Sequence, residues 1–420
     1  MALIKKIRFI SKEEGLIYFL IYLLLLFKVG FYFQENISAI TSILFIGILL
    51  IYKNKHKNKD PHKKGIIIVL ALLLFKHLSF ISLGFPDFNE YLLSILNDIT
   101  AVLFVSCLDY KTFSKYYSNL LIVICCVTCC AWVLVLLNIP IFSIFPVLTN
   151  SHGVSAYFCG LTNIWANTDY FASRRMMGIF WEPGAFQIFI TIAFIFDLYG
   201  NYDRKVLIKR LLIYTVTIVA ASSTTGFLSI LFAWTLYFTK LGKFPVFYLV
   251  VFMAGAFYLA TYLYYTLDDR MAWIVFGKLE NTQEIMNGTS EGDGSTSTRV
   301  SSIVYPLEKF SESPVFGIGE SGKAAISKRA GHGMLTCTVI NYLTFYGLFC
   351  ALLCFVGFIK LLNLRNKTFL ESFTLIVLVV VCTMSEAMAF NPVFTILMLY
   401  GYLRKEQLQK SLLIKRTIQC

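Results

Sequence analysis

The amino-acid sequence predicts an all-α, polytopic integral membrane protein with about 12 transmembrane helices and two large outer loops. Hydrophobic residues make up 57% of the chain and charged residues 15%, against roughly 45–50% and about 25% in soluble globular proteins. The apolar residues form continuous runs, and about 20 apolar residues let a helix cross the hydrocarbon core of a bilayer. Strands of a β-barrel would instead alternate apolar and polar residues over about ten positions.

Twelve runs are predicted as spans. The first begins after a basic segment and continues to Phe33, too long for the apolar core of a signal peptide, so no cleavable signal is expected. In chain order, the predicted spans are 16–33, 37–52, 65–83, 91–108, 118–138, 185–199, 207–221, 225–239, 245–265, 335–359, 372–388 and 391–403.

The distribution of Lys and Arg predicts the orientation of these spans. Basic residues collect in alternate segments, beginning with the N-terminal segment and the run KNKHKNKDPHKK. The short loops on the other side contain no Lys or Arg; they are 34–36, 84–90, 222–224 and 385–390. The positive-inside rule then places both termini in the cytoplasm. It also explains the net charge of +13 without a nucleic-acid partner.

The same topology gives one membrane domain over residues 1–420, with 139–184 and 266–334 as the two large outer loops. The sequence contains neither a Walker A motif nor a Gly-rich dinucleotide fingerprint, so no nucleotide cofactor is expected. Lys28 and Lys76 lie within apolar runs.

The stretch RRMMGIFWEPGAF, residues 174–186, ends the first outer loop. Arg174 and Arg175 offer guanidinium groups suited to phosphate. Glu182 precedes Pro183, which suits the first turn of a helix whose N-terminus favours anions. A pyrophosphate cradle is one interpretation. Anchoring of the span to lipid headgroups by the arginines and Trp181 is the other, and the residues alone leave both open.

The second outer loop has three parts. Residues 266–286 have an amphipathic pattern, and 287–299 are rich in Gly, Ser and Thr and are expected to be mobile. The third part carries Arg299, the tight turn GIG and His332, just before the tenth span. A lone His is more often structural. Here Lys328 and Arg329 would keep His332 neutral, as a general base requires.

Two other segments lie at the predicted outer face. Ser223 and Thr225 belong to SSTTG, a polar turn that offers hydroxyl and N–H groups. Glu386 lies at or within the membrane boundary, where an ionisable residue is a functional candidate or the partner of an Arg. The four cysteines of CCVTCC (125–130) lie in an apolar run and are expected to pack rather than bind a metal. A disulfide between Cys159 and Cys337 is left open.

Four motifs occur in a characteristic order: R-x-x-G-I-F-x-E-P-G from Arg175 to Gly184, S-x-T-G from Ser223 to Gly226, an Arg ahead of S-P-V-F-G-I-G, and a His opening the next span. In this order the sequence resembles the O-antigen and capsular polysaccharide repeat-unit polymerases, whose wider family includes the O-antigen ligases. The resemblance implies a GT-C-like membrane glycosyltransferase at the outer face of the bacterial inner membrane.

The resemblance also implies roles for individual residues. The donor and acceptor would be oligosaccharides linked to undecaprenyl pyrophosphate, and neither a metal nor another cofactor would be needed. Arg175 and Arg299 would bind the pyrophosphate, with Arg174 as the alternative to Arg175. His332 would act as the base on the acceptor hydroxyl or position it, and Glu182 would orient the arginine or bind sugar.

Membrane lipid and a chain-length regulator are further candidate partners. A ligase that moves the finished glycan onto lipid A core, and a flippase for the lipid-linked glycan, are the alternative functions. A flippase would be expected to carry charged residues in many spans and internal repeats.

Overall fold

The computed structural model is mostly helical and divides into two compact units. Unit 1 comprises Met1–Asp60 and Leu103–Ala220, and unit 2 comprises Pro61–Val102 and Ala221–Cys420. The single membrane domain over 1–420 stays a prediction. The structure describes residues 11–56, 63–82, 88–150, 153–166, 175–241, 295–319, 322, 326, 335–384 and 386–403.

Helices make up most of the described elements, and one small sheet has three strands. The helices are α1 (Lys12–Val29), α2 (Phe33–Asn36), α3 (Ser38–Lys55), α4 (Lys63–Ser82), α5 (Phe88–Cys107), α6 (Tyr110–Leu136), α7 (Pro183–Leu198), α8 (Arg204–Ala221), α9 (Thr224–Lys240), α10 (Ser295–Phe310), α11 (Thr338–Thr344), α12 (Gly347–Leu362), α13 (Phe369–Thr383) and α14 (Pro392–Leu403). The strands are β1 (Val147–Thr149), β2 (Ser155–Phe158) and β3 (Asn163–Trp165).

Several described helices have the composition of membrane spans. Three are long and apolar enough to cross a membrane: Ser38–Lys55, Tyr110–Leu136 and Gly347–Asn366. Shorter apolar helices cover Gly65–Ile81, Tyr91–Cys107, Pro183–Leu198, Phe369–Thr383 and Pro392–Leu403. The predicted span 245–265 lies outside the described residues, as does the amphipathic segment 266–286. The total of twelve spans therefore stays a prediction.

Two predicted boundaries differ from the structure. The tenth span, predicted as continuous over 335–359, consists of α11 and α12 with a break at Phe345 and Tyr346. The segment 287–299, expected to be mobile, ends in the first turns of α10, which begins at Ser295.

The first outer loop contains a small sheet that was not expected from the sequence. A 3-10 helix, Pro140–Ile144, follows α6 and leads into the three strands. The strands are antiparallel in the order β1-β2-β3, with Leu148 opposite Ala156 and Tyr157 opposite Ile164. With only three or four residues each, the strands are too short for their alternation to be recognised in the sequence.

In unit 1, α1 packs against α3 and α6, and α6 packs against α7. A buried polar cluster fixes the connection from α7 to α8. Arg210 donates two hydrogen bonds to the Asp197 carboxylate, at 2.6 and 3.1 Å, and the Tyr214 hydroxyl donates to the same carboxylate at 2.8 Å. The bidentate geometry and the phenol together satisfy a carboxylate that has no exposed surface.

In unit 2, α13 packs against α9, α12 against α4, and α10 against α11. Its core contains an ion pair between apolar helices. The Lys76 ammonium lies 2.7 Å from Asp98 Oδ2 and donates to the Ser94 hydroxyl at 2.9 Å. It also lies over the rings of Tyr346 and Phe390, 5.6 and 5.0 Å from their centroids. These contacts link α4 and α5 to the break between α11 and α12.

Candidate functional site

In unit 1, the segment 175–180 is held by main-chain hydrogen bonds on three sides. The Phe31 N–H donates to the Ile179 carbonyl at 3.1 Å, and Gly30 forms a β-bridge with Phe180. The Asn163 N–H donates to the Gly178 carbonyl, and the Met176 N–H donates to the Ala220 carbonyl at 3.1 Å. The end of α1, strand β3 and the end of α8 therefore fix this segment without using its side chains.

Aromatic packing fixes the other end of the segment to α7. The Phe180 ring stacks on Phe189, with centroids 4.5 Å apart and planes 9° apart, and it also stacks on Phe186. Gly178 has φ +58°, and a Cβ there would lie 2.9 Å from the Phe186 ring. The glycine of the G-I-F motif thus permits both a left-handed turn and close contact with α7.

The charged groups of this segment flank its buried centre. Arg175 and Glu182 are half-buried, whereas Met176, Met177 and Ile179 between them are fully buried. Glu182 is the N-cap residue of α7 and Pro183 is in the first turn, but the Glu182 side chain makes no capping hydrogen bond. Within the described residues, its carboxylate has no hydrogen-bond partner. Arg174 lies outside the described residues.

In unit 2, Arg299 lies in the first turns of α10, and its side chain is not among those described. One turn later, the Ser302 hydroxyl accepts a hydrogen bond from the Thr336 N–H at 3.0 Å. Thr336 follows His332 by four positions in the chain. His332 itself lies outside the described residues. The helix that carries Arg299 is thus fastened to the segment that enters α11.

The S-P-V-F-G-I-G motif docks on the break between α11 and α12. The N–H groups of Ile318 and Gly319 donate to the carbonyls of Thr344 and Phe345, both at 2.8 Å. In return, the Leu348 N–H donates to the Pro314 carbonyl at 2.9 Å. The motif therefore satisfies main-chain groups that the interruption of the helix leaves unpaired.

We expect Gly317→Ala to destabilise the protein by several kcal/mol, because Gly317 has φ +76° and a Cβ would lie 2.4 Å from the Thr344 carbonyl oxygen. Left-handed strain alone costs about 1–2 kcal/mol, and here the contacted backbone would also have to move. The midpoint of thermal unfolding in detergent measures the effect. Gly47→Ala is the control, since a Cβ there meets no atom within 4 Å. Equal midpoints for the two variants would contradict the prediction.

Three further candidates in unit 2 have described surroundings. Ser223 is the N-cap of α9, and its hydroxyl contacts the Thr225 hydroxyl at 3.1 Å. Both side chains are buried, and the Ser223 hydroxyl accepts a capping hydrogen bond from the Gly226 N–H at 3.4 Å. Glu386 is also buried. Its carbonyl accepts from the Thr338 hydroxyl at the start of α11, and that hydroxyl accepts from the Met388 N–H at 2.9 Å.

Lys76 stands out in the sequence as a charge within an apolar run, but its partner Asp98 was not among the predicted candidates. Asp98 has no exposed surface, and within the described residues its Oδ1 has no hydrogen-bond partner. The sequence did contain a signal for Asp98, because it is an ionisable residue inside the predicted span 91–108. Glu386, near the end of the predicted span 372–388, was recognised as a candidate for that reason. An ionisable residue at membrane depth is a functional candidate by default.

The described cysteines all have free thiols, including Cys159 and Cys337, so the disulfide left open by the sequence is absent. Burial raises the pKa of the Cys159 thiol to about 11, which further lowers its small fraction of thiolate at neutral pH. In the CCVTCC run, Cys125 is buried whereas Cys126 and Cys130 are exposed. The Cys129 sulfur contacts the Thr217 hydroxyl at 3.2 Å.

Comparison with known proteins adds no relative. No protein-family model, no curated protein and no solved structure matches the chain.

Proposed function

We propose that the chain is a bacterial inner-membrane glycosyltransferase that polymerises undecaprenyl-pyrophosphate-linked repeat units into a surface polysaccharide. The proposal rests on the fixed position of the segment from Arg175 to Glu182. Main-chain hydrogen bonds hold it at the start of an apolar helix, with a half-buried guanidinium at one end and a carboxylate at the other. A guanidinium in a fixed segment that leads into a helix N-terminus suits a pyrophosphate at a membrane surface.

The proposed reaction needs no energy source besides the donor. A hydroxyl oxygen of the acceptor sugar attacks the anomeric carbon of the donor glycan, and the bond from that carbon to the pyrophosphate oxygen breaks. His332 takes the hydroxyl proton as general base. Arg175 and Arg299 stabilise the negative charge that develops on the leaving undecaprenyl pyrophosphate. Arg174 is the alternative to Arg175, and Glu182 orients the arginine or binds sugar.

The anchoring of α10 supports placing Arg299 and His332 in one site. Ser302 and Thr336 are joined by a hydrogen bond. Ser302 lies one helical turn after Arg299, and Thr336 lies four positions after His332. The S-P-V-F-G-I-G motif lies between Ser302 and His332 in the chain. It docks on the break between α11 and α12. Two of the motifs that carry the resemblance thus contribute to one packed region of unit 2.

A flippase for the lipid-linked glycan is the second candidate, favoured by the charges buried among apolar helices. Lys76 and Asp98 form an ion pair in unit 2, and Lys28 of unit 1 donates a hydrogen bond to the buried Ser42 hydroxyl. Charged side chains at membrane depth often mark transport pathways.

One glycan analysis distinguishes these functions. Deletion of the gene is expected to reduce the ladder of surface glycan to a single repeat unit, and the wild-type gene should restore the ladder. Long chains that stay on the lipid carrier would indicate the ligase instead. Repeat units that accumulate inside the cell would indicate the flippase. An unchanged ladder would contradict all three.

A further inference from the structure

A cleft in unit 1 lies beside the segment that begins at Arg175. Its volume is about 290 Å³, near the lower end of the range for ligand pockets, so it suits one or two small rings. It lies between the end of α6, the 3-10 helix and the sheet. Its lining includes Asn138, Phe142, Ser143, Tyr157, Ile164 and Trp165.

The floor of the cleft is fixed to the arginine segment. Ile164 is buried against Met176, and Phe142 and Tyr157 pack on the same cluster. At the edge of the cleft, the Trp165 indole N–H donates to the Arg175 carbonyl at 3.1 Å. A molecule in the cleft would therefore lie next to the main chain of the proposed pyrophosphate-binding residue.

The cleft combines aromatic rings with accessible polar groups. Phe142 and Tyr157 are half-buried. Within the described part of the chain, neither the Tyr157 hydroxyl nor the Asn138 side-chain amide has a hydrogen-bond partner. Ser143 donates to the Pro140 carbonyl at 2.8 Å, which leaves its oxygen able to accept. The lining thus offers hydrogen-bond donors and acceptors around an apolar surface.

This combination matches a sugar ring. One face of a pyranose presents C–H groups, which are attracted to the negative face of an aromatic ring, and its rim carries hydroxyls that both donate and accept. The exposed side chains of Ile141 and Ile144 on the adjoining 3-10 helix suit contact with lipid. The cleft would then open at the membrane surface, where a polyprenyl carrier presents its first sugars.

We infer that this cleft binds one sugar ring of the lipid-linked glycan, an inference that rests on the proposed function. The ring lies against Tyr157 and Phe142, and its hydroxyls bond to the Tyr157 hydroxyl and the Asn138 amide. Because hydrogen bonds to hydroxyls discriminate strongly between analogues that have them and analogues that lack them, these two residues set which sugar is accepted.

The test measures binding to the full chain in nanodiscs. The probes are undecaprenyl pyrophosphate alone, the same carrier with the repeat unit isolated from the deletion strain, and phosphatidylglycerol. The wild type is expected to bind the sugar-bearing carrier about tenfold more tightly than the bare carrier, which corresponds to a few hydrogen bonds of ordinary strength. Asn138→Gly with Tyr157→Phe should abolish that preference and leave affinity for the bare carrier within about twofold.

The variants are chosen to preserve the fold. Asn138 has φ +54°, which glycine adopts without strain, and Tyr157→Phe removes only a hydroxyl. Tyr157→Phe alone should give a partial loss of preference. The matched control, Asn363→Gly with Tyr32→Phe, changes the same groups outside the lining of the cleft and should keep the full preference, since Asn363 also has a positive φ of +52°.

Each other outcome overturns a defined claim. A tenfold preference that survives in the double variant overturns the sugar site and leaves the proposed function intact. Loss of phosphatidylglycerol affinity in that variant, with the sugar preference kept, assigns the cleft to a phospholipid headgroup instead. If the wild type binds neither carrier, the proposed function fails, and the sugar site fails with it.

Discussion

Lys76→Met is expected to destabilise unit 2 by about 3–5 kcal/mol, the cost of removing one partner from a buried ion pair. The substitution leaves the Asp98 carboxylate with no exposed surface and without the cation 2.7 Å away. It also removes the ammonium over the rings of Tyr346 and Phe390. Unfolding followed by far-UV circular dichroism in a denaturing-detergent titration measures the loss.

A double-mutant cycle separates the pair from the packing of its side chains. Lys76→Met with Asp98→Leu should recover most of the lost stability, because a buried ion pair can be replaced by apolar residues at little cost. Lys309→Ala is the surface control: Lys309 pairs with Glu312, both side chains are more than half exposed, and such pairs contribute about 0–1 kcal/mol. If Lys76→Met unfolds no more easily than Lys309→Ala, the pair does not hold α4 and α5 to the helix break.

The helices were predictable because continuous apolar runs leave few alternatives, but their ends depended on local polar contacts. Residues 109–117 were predicted to connect the spans 91–108 and 118–138, yet α6 begins at Tyr110 because the Asp109 side chain accepts from the Thr112 N–H at 2.9 Å. The break at Phe345 was hidden for a different reason. It depends on the S-P-V-F-G-I-G segment, whose docking partner cannot be known before the chain folds.

The candidate site shows the same limit. The sequence placed Pro183 in the first turn of a helix, as observed, since the preference for Pro at that position is local. It could not predict that Gly30 and Phe31, far away in the chain, would hold the Arg175 segment through main-chain hydrogen bonds. Nor could it pair Lys76 with Asp98, because that requires the relative placement of two helices. Contacts between distant segments leave no pattern in a single sequence.

Arg175→Ala is expected to lower polymerisation by about 100-fold or more, the usual cost of removing a group that stabilises developing charge. The surface-glycan ladder should collapse to a single repeat unit. The protein should still reach the membrane at the wild-type level, because the segment accepts main-chain hydrogen bonds from Phe31 and Asn163 and donates one to Ala220. The ladder, together with an immunoblot of the membrane fraction, measures both effects.

Three variants locate the effect at the guanidinium. Arg175→Lys keeps the charge but not the bidentate geometry, so it should recover only part of the activity. Arg174→Ala should leave the ladder intact if Arg175 is the residue that binds pyrophosphate. Arg365→Ala removes an exposed Arg from a different segment and should have no effect. A full ladder from Arg175→Ala together with a collapsed one from Arg174→Ala would transfer the role to Arg174. Full ladders from both Arg175→Ala and Arg174→Ala would show that neither arginine takes part in the reaction. Anchoring of the segment to lipid headgroups would then be the favoured role.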